Sequence, residues 1–279
     1  MRLISSQPHQ EHTARSRLRV TRWPLWLMLL FSASVAACEE RAPKAGANAV
    51  AGAGSNAGDR ARASQRADYS VRGLIVVLGS STAAGIGPHN PKSAWVSRYK
   101  AHLSEQFPNV QLVNLAVGGY STFEVQPTGF VPPPGRPAPV EGRNITFALG
   151  LKPSAIVINL PSNDQARHYA LAEQLANYDR IAALAAFAHV PLWICSPQPR
   201  NFDESAQLDD LMRARDAIAR KFAPRTLDFW TPFAAANGFI KASYNAGDGT
   251  HLNDAAHEIL ASIVESAQIP EQFAAAPVP

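Results

Sequence analysis

The chain has 279 residues, with 46% hydrophobic and 17% charged side chains, the ordinary balance of a globular protein with a substantial core. Its formal charge of +4 lies in residues 1–37, where Arg2, Arg15, Arg17, Arg19 and Arg22 stand against Glu11. The rest is neutral by count and carries no basic stripe to track a phosphate backbone, so no nucleic-acid partner is expected.

The N-terminal 37 residues read as an export signal. A basic region ends at Arg22, and the apolar stretch that follows is shorter than the roughly 20 residues a spanning helix needs. It closes on Val35-Ala36-Ala37 directly before Cys38, which resembles a bacterial lipobox. Cys38 is therefore the expected lipidation site. The lipid would be a membrane contact, on the periplasmic face of the outer membrane if the source is Gram-negative. Residues 38–68 are rich in Ala, Gly, Ser, Asn and charge and hold too little apolar surface to offset their ordering entropy, which predicts a flexible tether. The chain has two cysteines. With Cys38 lipidated, Cys195 has no intrachain partner, and its place in the apolar run Val190–Cys195 predicts a buried thiol.

One domain is expected over 69–270, followed by a tail over 271–279. Leu74–Leu78 is a continuous apolar run that suits a strand buried on both faces. Ser93 is placed to cap a helix carrying Trp95, Tyr99 and Leu103 on one stripe. A second strand is read over 110–115, then a long Pro/Gly-rich loop over 120–144, of a length often tied to function. A short helix over 145–151, a strand over 155–160 and a helix within 166–188 follow. The next strand covers 190–195, and Leu208, Leu211, Ile218 and Phe222 mark another helix. A short last strand near 226–229 and a helix over 254–266, with Asp254 near its cap, complete the pattern. Alternating strands and helices predict a three-layer α/β/α sandwich around a central parallel sheet, flavodoxin-like in plan.

Ligands of open parallel sheets bind at the carboxyl ends of the strands. Polar turns fall there after each of the first three strands: Gly79-Ser80-Ser81-Thr82, Asn114 to Gly118-Gly119, and Pro161-Ser162-Asn163-Asp164. Near the C-terminus comes Asp248-Gly249-Thr250-His251-Leu252-Asn253. The first turn lacks the Gly-Lys-Ser/Thr ending of a phosphate loop. Each piece alone also fits a turn or a cap.

In this order the four pieces resemble the sequence blocks of the SGNH (GDSL-like) hydrolases, over about residues 73–266. The resemblance implies a serine esterase without a cofactor. Ser81 aligns with the nucleophile, His251 with its base and Asp248 with the group that orients the imidazole. The N–H groups of Ser81 and Gly119 and the side-chain amide of Asn163 align with the oxyanion hole. Three positions depart from the family pattern: Ser80 stands where an Asp is usual, Pro161 where a glycine is usual, and Tyr120 follows the oxyanion glycine.

The expected substrate is an acylated small molecule, glycan or lipid, with a small-acyl carbohydrate ester favoured. The rival readings are an O-acyltransferase acting on surface glycans and a non-catalytic glycan-binding module. Arg143, Asn144 and Arg200 lie at loop ends where a side chain can meet substrate or solvent. Trp193 and Trp230 read as core, and Asp228 and Asn245 as structural polar groups near the site. No His-Glu-x-x-His or Cys-x-x-Cys spacing occurs, so no metal is expected.

Overall fold

The computed structural model describes residues 67–274. The expected leader, Cys38 and the tether up to residue 66 lie outside the described residues, as does the tail from residue 275.

A single parallel sheet forms the centre, from β1 (Gly73–Gly79), β2 (Val110–Asn114), β3 (Ala155–Asn159), β4 (Leu192–Cys195) and β5 (Thr226–Leu227). The spatial order is β2-β1-β3-β4-β5, and every pairing is parallel, with Val76 of β1 opposite Val113 of β2 and Ile156 of β3. This is the doubly wound plan of the flavodoxin-like folds, whose topological switch point lies between β1 and β3.

The alternation of side chains along the strands sorts the apolar residues into two cores. Ile75, Val77, Val157, Trp193 and Cys195 face one layer of helices. That layer holds α2 (Trp95–Gln106) and α7 (Asp254–Ser266), which present Trp95, Tyr99, Leu260 and Val264. Val76, Leu78, Ile156, Ile158 and Ile194 face the other layer. There α3 (Ile145–Gly150), α5 (Leu171–Phe187) and α6 (Ser205–Lys221) present Ile145, Tyr178, Ile181 and Ile218. Each such fully buried side chain contributes about 1.5–3 kcal/mol. Burial on both faces is why the strands read as unbroken apolar runs.

Cys195 is fully buried and unpaired, and burial pushes its thiol well above the usual range. Trp193 and Trp230 are buried as expected. Two one-turn helices, α1 (Ser81–Ala84) and α4 (Asn163–Ala166), and a final α8 (Ile269–Ala274) have no counterpart in the sequence reading.

Several local expectations are corrected. Ser93 does not cap α2: it closes a 3-10 turn over Pro91–Ser93, and the N–H of Trp95 donates instead to Nδ1 of His257, at 3.0 Å. That bond requires an unprotonated Nδ1, and burial lowers the imidazole to about 4. By contrast α7 begins at Asp254 as read, beside its cap Asn253, whose side chain accepts from Ala256 N. β5 stops at Leu227 because Ser196 Oγ accepts from Phe229 N and Asp228 accepts from the N–H groups of Trp230 and Thr231, which turns the chain.

Candidate active site

The switch point brings the ends of β1 and β3 side by side, with Gly79 of β1 in register with Asn159 of β3. A Cβ on Gly79 would stand 2.7 Å from the Asn159 carbonyl oxygen, so only glycine lets the strands approach this closely before the turn. The chain leaves β1 through Ser80, whose N–H donates to Asn159 O, and enters α1 at Ser81. Ser80 is fully buried and Ser81 is 8% exposed. Ser81 is therefore recessed in the turn rather than projecting from it.

The β2 turn packs against the β1 turn through Val117 N, which donates to Gly79 O at 3.1 Å. Gly119 adopts φ +86°, a left-handed conformation that favours glycine. Its carbonyl accepts from Arg167 Nη2 at 2.7 Å, which fixes the peptide plane on that side. Asn163, the first residue of α4, donates from Nδ2 to Tyr120 O at 2.8 Å and to Ser80 Oγ at 3.3 Å. Ser80, Tyr120 and Asn163 are thus joined into one cluster, although Ser80 and Tyr120 are two of the departures from the family pattern.

Beneath this cluster lies a buried polar network that sequence reasoning missed. Asp164 accepts from Thr122 N at 3.0 Å and Thr122 Oγ1 at 2.6 Å, and Thr122 Oγ1 accepts from Asn177 Nδ2. Glu124 accepts from Ser121 N and Ser121 Oγ and pairs with Arg167 Nη1 at 2.8 Å. Burial dominates at Asp164 and, although the Thr122 hydrogen bonds oppose it, raises the carboxyl to about 6. The signal in the sequence is the acidic and hydroxylic run Ser121-Thr122-Phe123-Glu124 at the head of the 120–144 loop.

The loop over 120–144 is accordingly not all surface. Ser121–Gln126 are buried. Beyond them, Arg136 pairs with Glu173 at 2.7 Å and lies 4.1 Å over the Tyr169 ring. Arg180 donates to Gln126 Oε1 and lies 4.3 Å over Phe130. Asn144, read as a residue able to meet substrate, is buried and caps α3 by accepting from Phe147 N. Arg143 is exposed.

The fourth block forms a self-braced loop. Asn245 Oδ1 accepts from Gly247 N and Gly249 N, whose φ values of +110° and +68° need glycine. Ala246 N donates to His251 O. Asp248 Oδ1 accepts from Thr250 N and His251 N, and its Oδ2 accepts from the ring Nδ1 of His251 at 2.6 Å. Partial burial by itself would raise Asp248, but these bonds outweigh it and lower the carboxyl to about 2. With Nδ1 donating to that carboxylate, Nε2 of His251 is left as the basic nitrogen.

This loop sits against the β1 turn. A Cβ on Gly87, just past α1, would stand 2.1 Å from Leu252 O and 3.2 Å from His251 Cβ. No hydrogen bond joins Ser81 Oγ to His251 in this state. Arg200 is half-buried, lies 4.9 Å over Phe202 and feels the field of Asp248. A hollow of about 600 Å³ is lined by residues around β5 such as Trp193, Thr226 and Asp228, so it is separate from this cluster.

A hydroxyl, an oriented imidazole and a group of N–H donors at a switch point form an arrangement suited to acyl transfer. Comparison with known proteins agrees in kind. The model of the GDSL-like lipase/acylhydrolase family matches residues 77–259. The psychrotrophic esterase EstA from Pseudoalteromonas sp. shares the fold at 15% identity and a TM-score of 0.51, covering 70% of this chain and 96% of that one. A lipase/acylhydrolase from Enterococcus faecalis gives 14% and 0.52, covering 71% and 96%. An acetyl xylan esterase gives 13% and 0.51, covering 70% and 98%. No curated protein matches the chain.

Proposed function

Because the chain belongs to the GDSL-like lipase/acylhydrolase family, we propose that it is a serine esterase that cleaves carboxylic esters through an acyl-Ser81 intermediate. The observation that carries this reading is the His251–Asp248 pair, 2.6 Å apart, on a loop that abuts the turn holding Ser81. Ser81 Oγ attacks the ester carbonyl carbon while His251 Nε2 takes its proton. Asp248 holds the imidazole in the tautomer that leaves Nε2 free and stabilises the imidazolium once formed. The carbonyl oxygen becomes an oxyanion, with the N–H groups of Ser81 and Gly119 and the Asn163 amide as its donors. Asn163 reaches it by exchanging its long 3.3 Å contact with Ser80 Oγ for the oxyanion. His251 then protonates the leaving alkoxide as the carbon–oxygen bond breaks. In the second half-reaction His251 takes a proton from water, the hydroxide attacks the acyl carbon, and Ser81 leaves with its proton restored.

The acyl group in this reading is small and the alcohol is a carbohydrate. Ile86 supports the first part: it is 45% exposed, and its Cδ1 lies 3.0 Å from where a Cβ on Gly118 would stand. One exposed apolar side chain next to Gly119 matches an acetyl or similarly short chain. The acetyl xylan esterase neighbour is in keeping with the second part at the level of fold. The proposed setting is the cell surface, with Cys38 lipidated and residues 38–68 as tether. Cys38→Ala should move the protein from the detergent-extracted membrane fraction to the soluble one.

The test is hydrolysis of p-nitrophenyl esters from acetate to octanoate by the purified chain, with Ser81→Ala and Ser80→Ala beside it. Activity that falls with chain length and disappears only in Ser81→Ala is the expected result. A folded wild type that neither hydrolyses these esters nor labels with a fluorophosphonate overturns the reading and puts a binding module in its place.

A further inference from the structure

Past the end of β4 the chain reads Ser196-Pro197-Gln198-Pro199. Gln198 is 1% exposed. Its Oε1 accepts from Thr82 Oγ1 at 2.8 Å, and its Nε2 donates to Thr250 O at 3.0 Å. Thr82 is fully buried and directly follows Ser81, and Thr250 directly precedes His251. The Thr250 carbonyl can only accept, so Nε2 must face it and Oε1 is left for the Thr82 hydroxyl, which must donate. The two bonds therefore agree on a single orientation of the amide. The flanking prolines stiffen the base from which the side chain projects. Pro197 has a fixed φ, and Pro199 restricts Gln198 to extended backbone.

We infer that Gln198 is a positioning residue for the reaction: a buried strut that sets the spacing between the turn carrying Ser81 and the loop carrying His251. The inference rests on the roles of Ser81 and His251 proposed above. Its physical basis is that those two side chains come from separate loops and share no hydrogen bond in this state. Their alignment therefore depends on how the loops are held apart, and a misplacement of about 1 Å costs on the order of 10²-fold in rate. The contact at Gly87 limits how closely the loops approach. Gln198 adds the attraction that keeps them from separating, through one bond to each side.

The experiment measures kcat and KM for p-nitrophenyl acetate, the rate of fluorophosphonate labelling and the melting temperature, on the full chain. The variants are Gln198→Ala, Thr82→Val, Thr82→Ser and the double variant Thr82→Val/Gln198→Ala. Gln198→Ala and Thr82→Val are expected to lower kcat and the labelling rate by about 10- to 100-fold, with KM held within about threefold. Thr82→Ser, which keeps the hydroxyl, should recover most of the rate. The double variant should be no slower than Gln198→Ala, because both substitutions cut the same strut. Thr82→Val preserves shape, so it decides the matter even if Gln198→Ala fails to fold. Folded single variants with wild-type kcat, or losses that multiply in the double variant, overturn the inference while leaving the esterase reading intact. An inactive, unlabelled wild type removes that reading and this inference with it.

Discussion

Two carboxylates stand on either side of the site and are held in opposite ways. Asp164, behind Asn163, is fully buried, fed by Thr122 and raised to about 6. Asp248, beside His251, has a side chain that is 53% exposed and is lowered to about 2 by bonds from its own loop. The Ser81–Asn163 half is fixed by tertiary packing: β1, β3, Arg167 and the buried start of the 120–144 loop must all be in place. The His251 half is braced mainly by chain-local bonds within residues 244–253, with Gln198 and Asn201 reaching it from the end of β4. Damage to the first half should therefore lower stability and activity together, whereas damage to the second should lower activity far more than stability.

The largest expected effect ignores the distinction. Ser81→Ala should reduce kcat by about 10⁴-fold or more, since the residual rate comes from binding and oxyanion donors alone. Ser80→Ala, which removes only an acceptor of Asn163, should change kcat by less than about tenfold. On the local half, Asp248→Asn should lower kcat by on the order of 10³- to 10⁴-fold. Its melting temperature should fall less than that of Arg167→Met, and an equal or larger fall would break the comparison.

On the packed half, Arg167→Met leaves Glu124 buried without its cation and Gly119 O without its donor. A loss of about 2 kcal/mol in a denaturant titration is expected, below that of a fully buried pair because Arg167 is 37% exposed. A fall in kcat of about tenfold should accompany it.

The smallest effect is a pH slope. Burial raises the Asp164 carboxyl in the folded protein to about 6, above the 3.8 of a free aspartate. Its contribution to stability is therefore fully present below pH 3.8 and is lost as pH rises through about 6. Asp248, displaced the other way, contributes above pH 3.8 and loses that contribution as pH falls toward about 2. Melting temperatures of wild type and Asp164→Asn between pH 4 and 7 separate the two. The wild type should lose stability relative to the variant across that range, and parallel curves would show that Asp164 does not titrate there.

The sheet was legible in the sequence because burial on both faces leaves unbroken apolar runs such as Leu74–Leu78. β5 was overextended because nothing in Thr226–Phe229 shows that Ser196 and Asp228 will turn the chain after Leu227. The helix over 254–266 begins where it was read, but the cap at Trp95 was misjudged, because an imidazole from a distant helix supplies it. At the site, Asp248 and His251 were readable together because they lie on one short loop. Glu124, Arg167, Gln198 and the Thr122–Asp164 pair were not, because the partners that bring them together are tens of residues away and each alone looks like a polar side chain facing water. Asn144 was misread for the converse reason, since a capping side chain at a loop end looks like one free to bind.

The Arg136–Glu173 and Arg180–Gln126 clamps across the long proline-rich loop bear on how recognition is driven. A segment that must settle around its ligand gives up conformational freedom at the moment of binding, and that loss is subtracted from affinity. Here the proline backbone and the two arginines stacked on Tyr169 and Phe130 restrict the loop during folding. A loop ordered in this way has little conformational freedom left to lose when anything docks against it, and little capacity to reshape itself around a different outline.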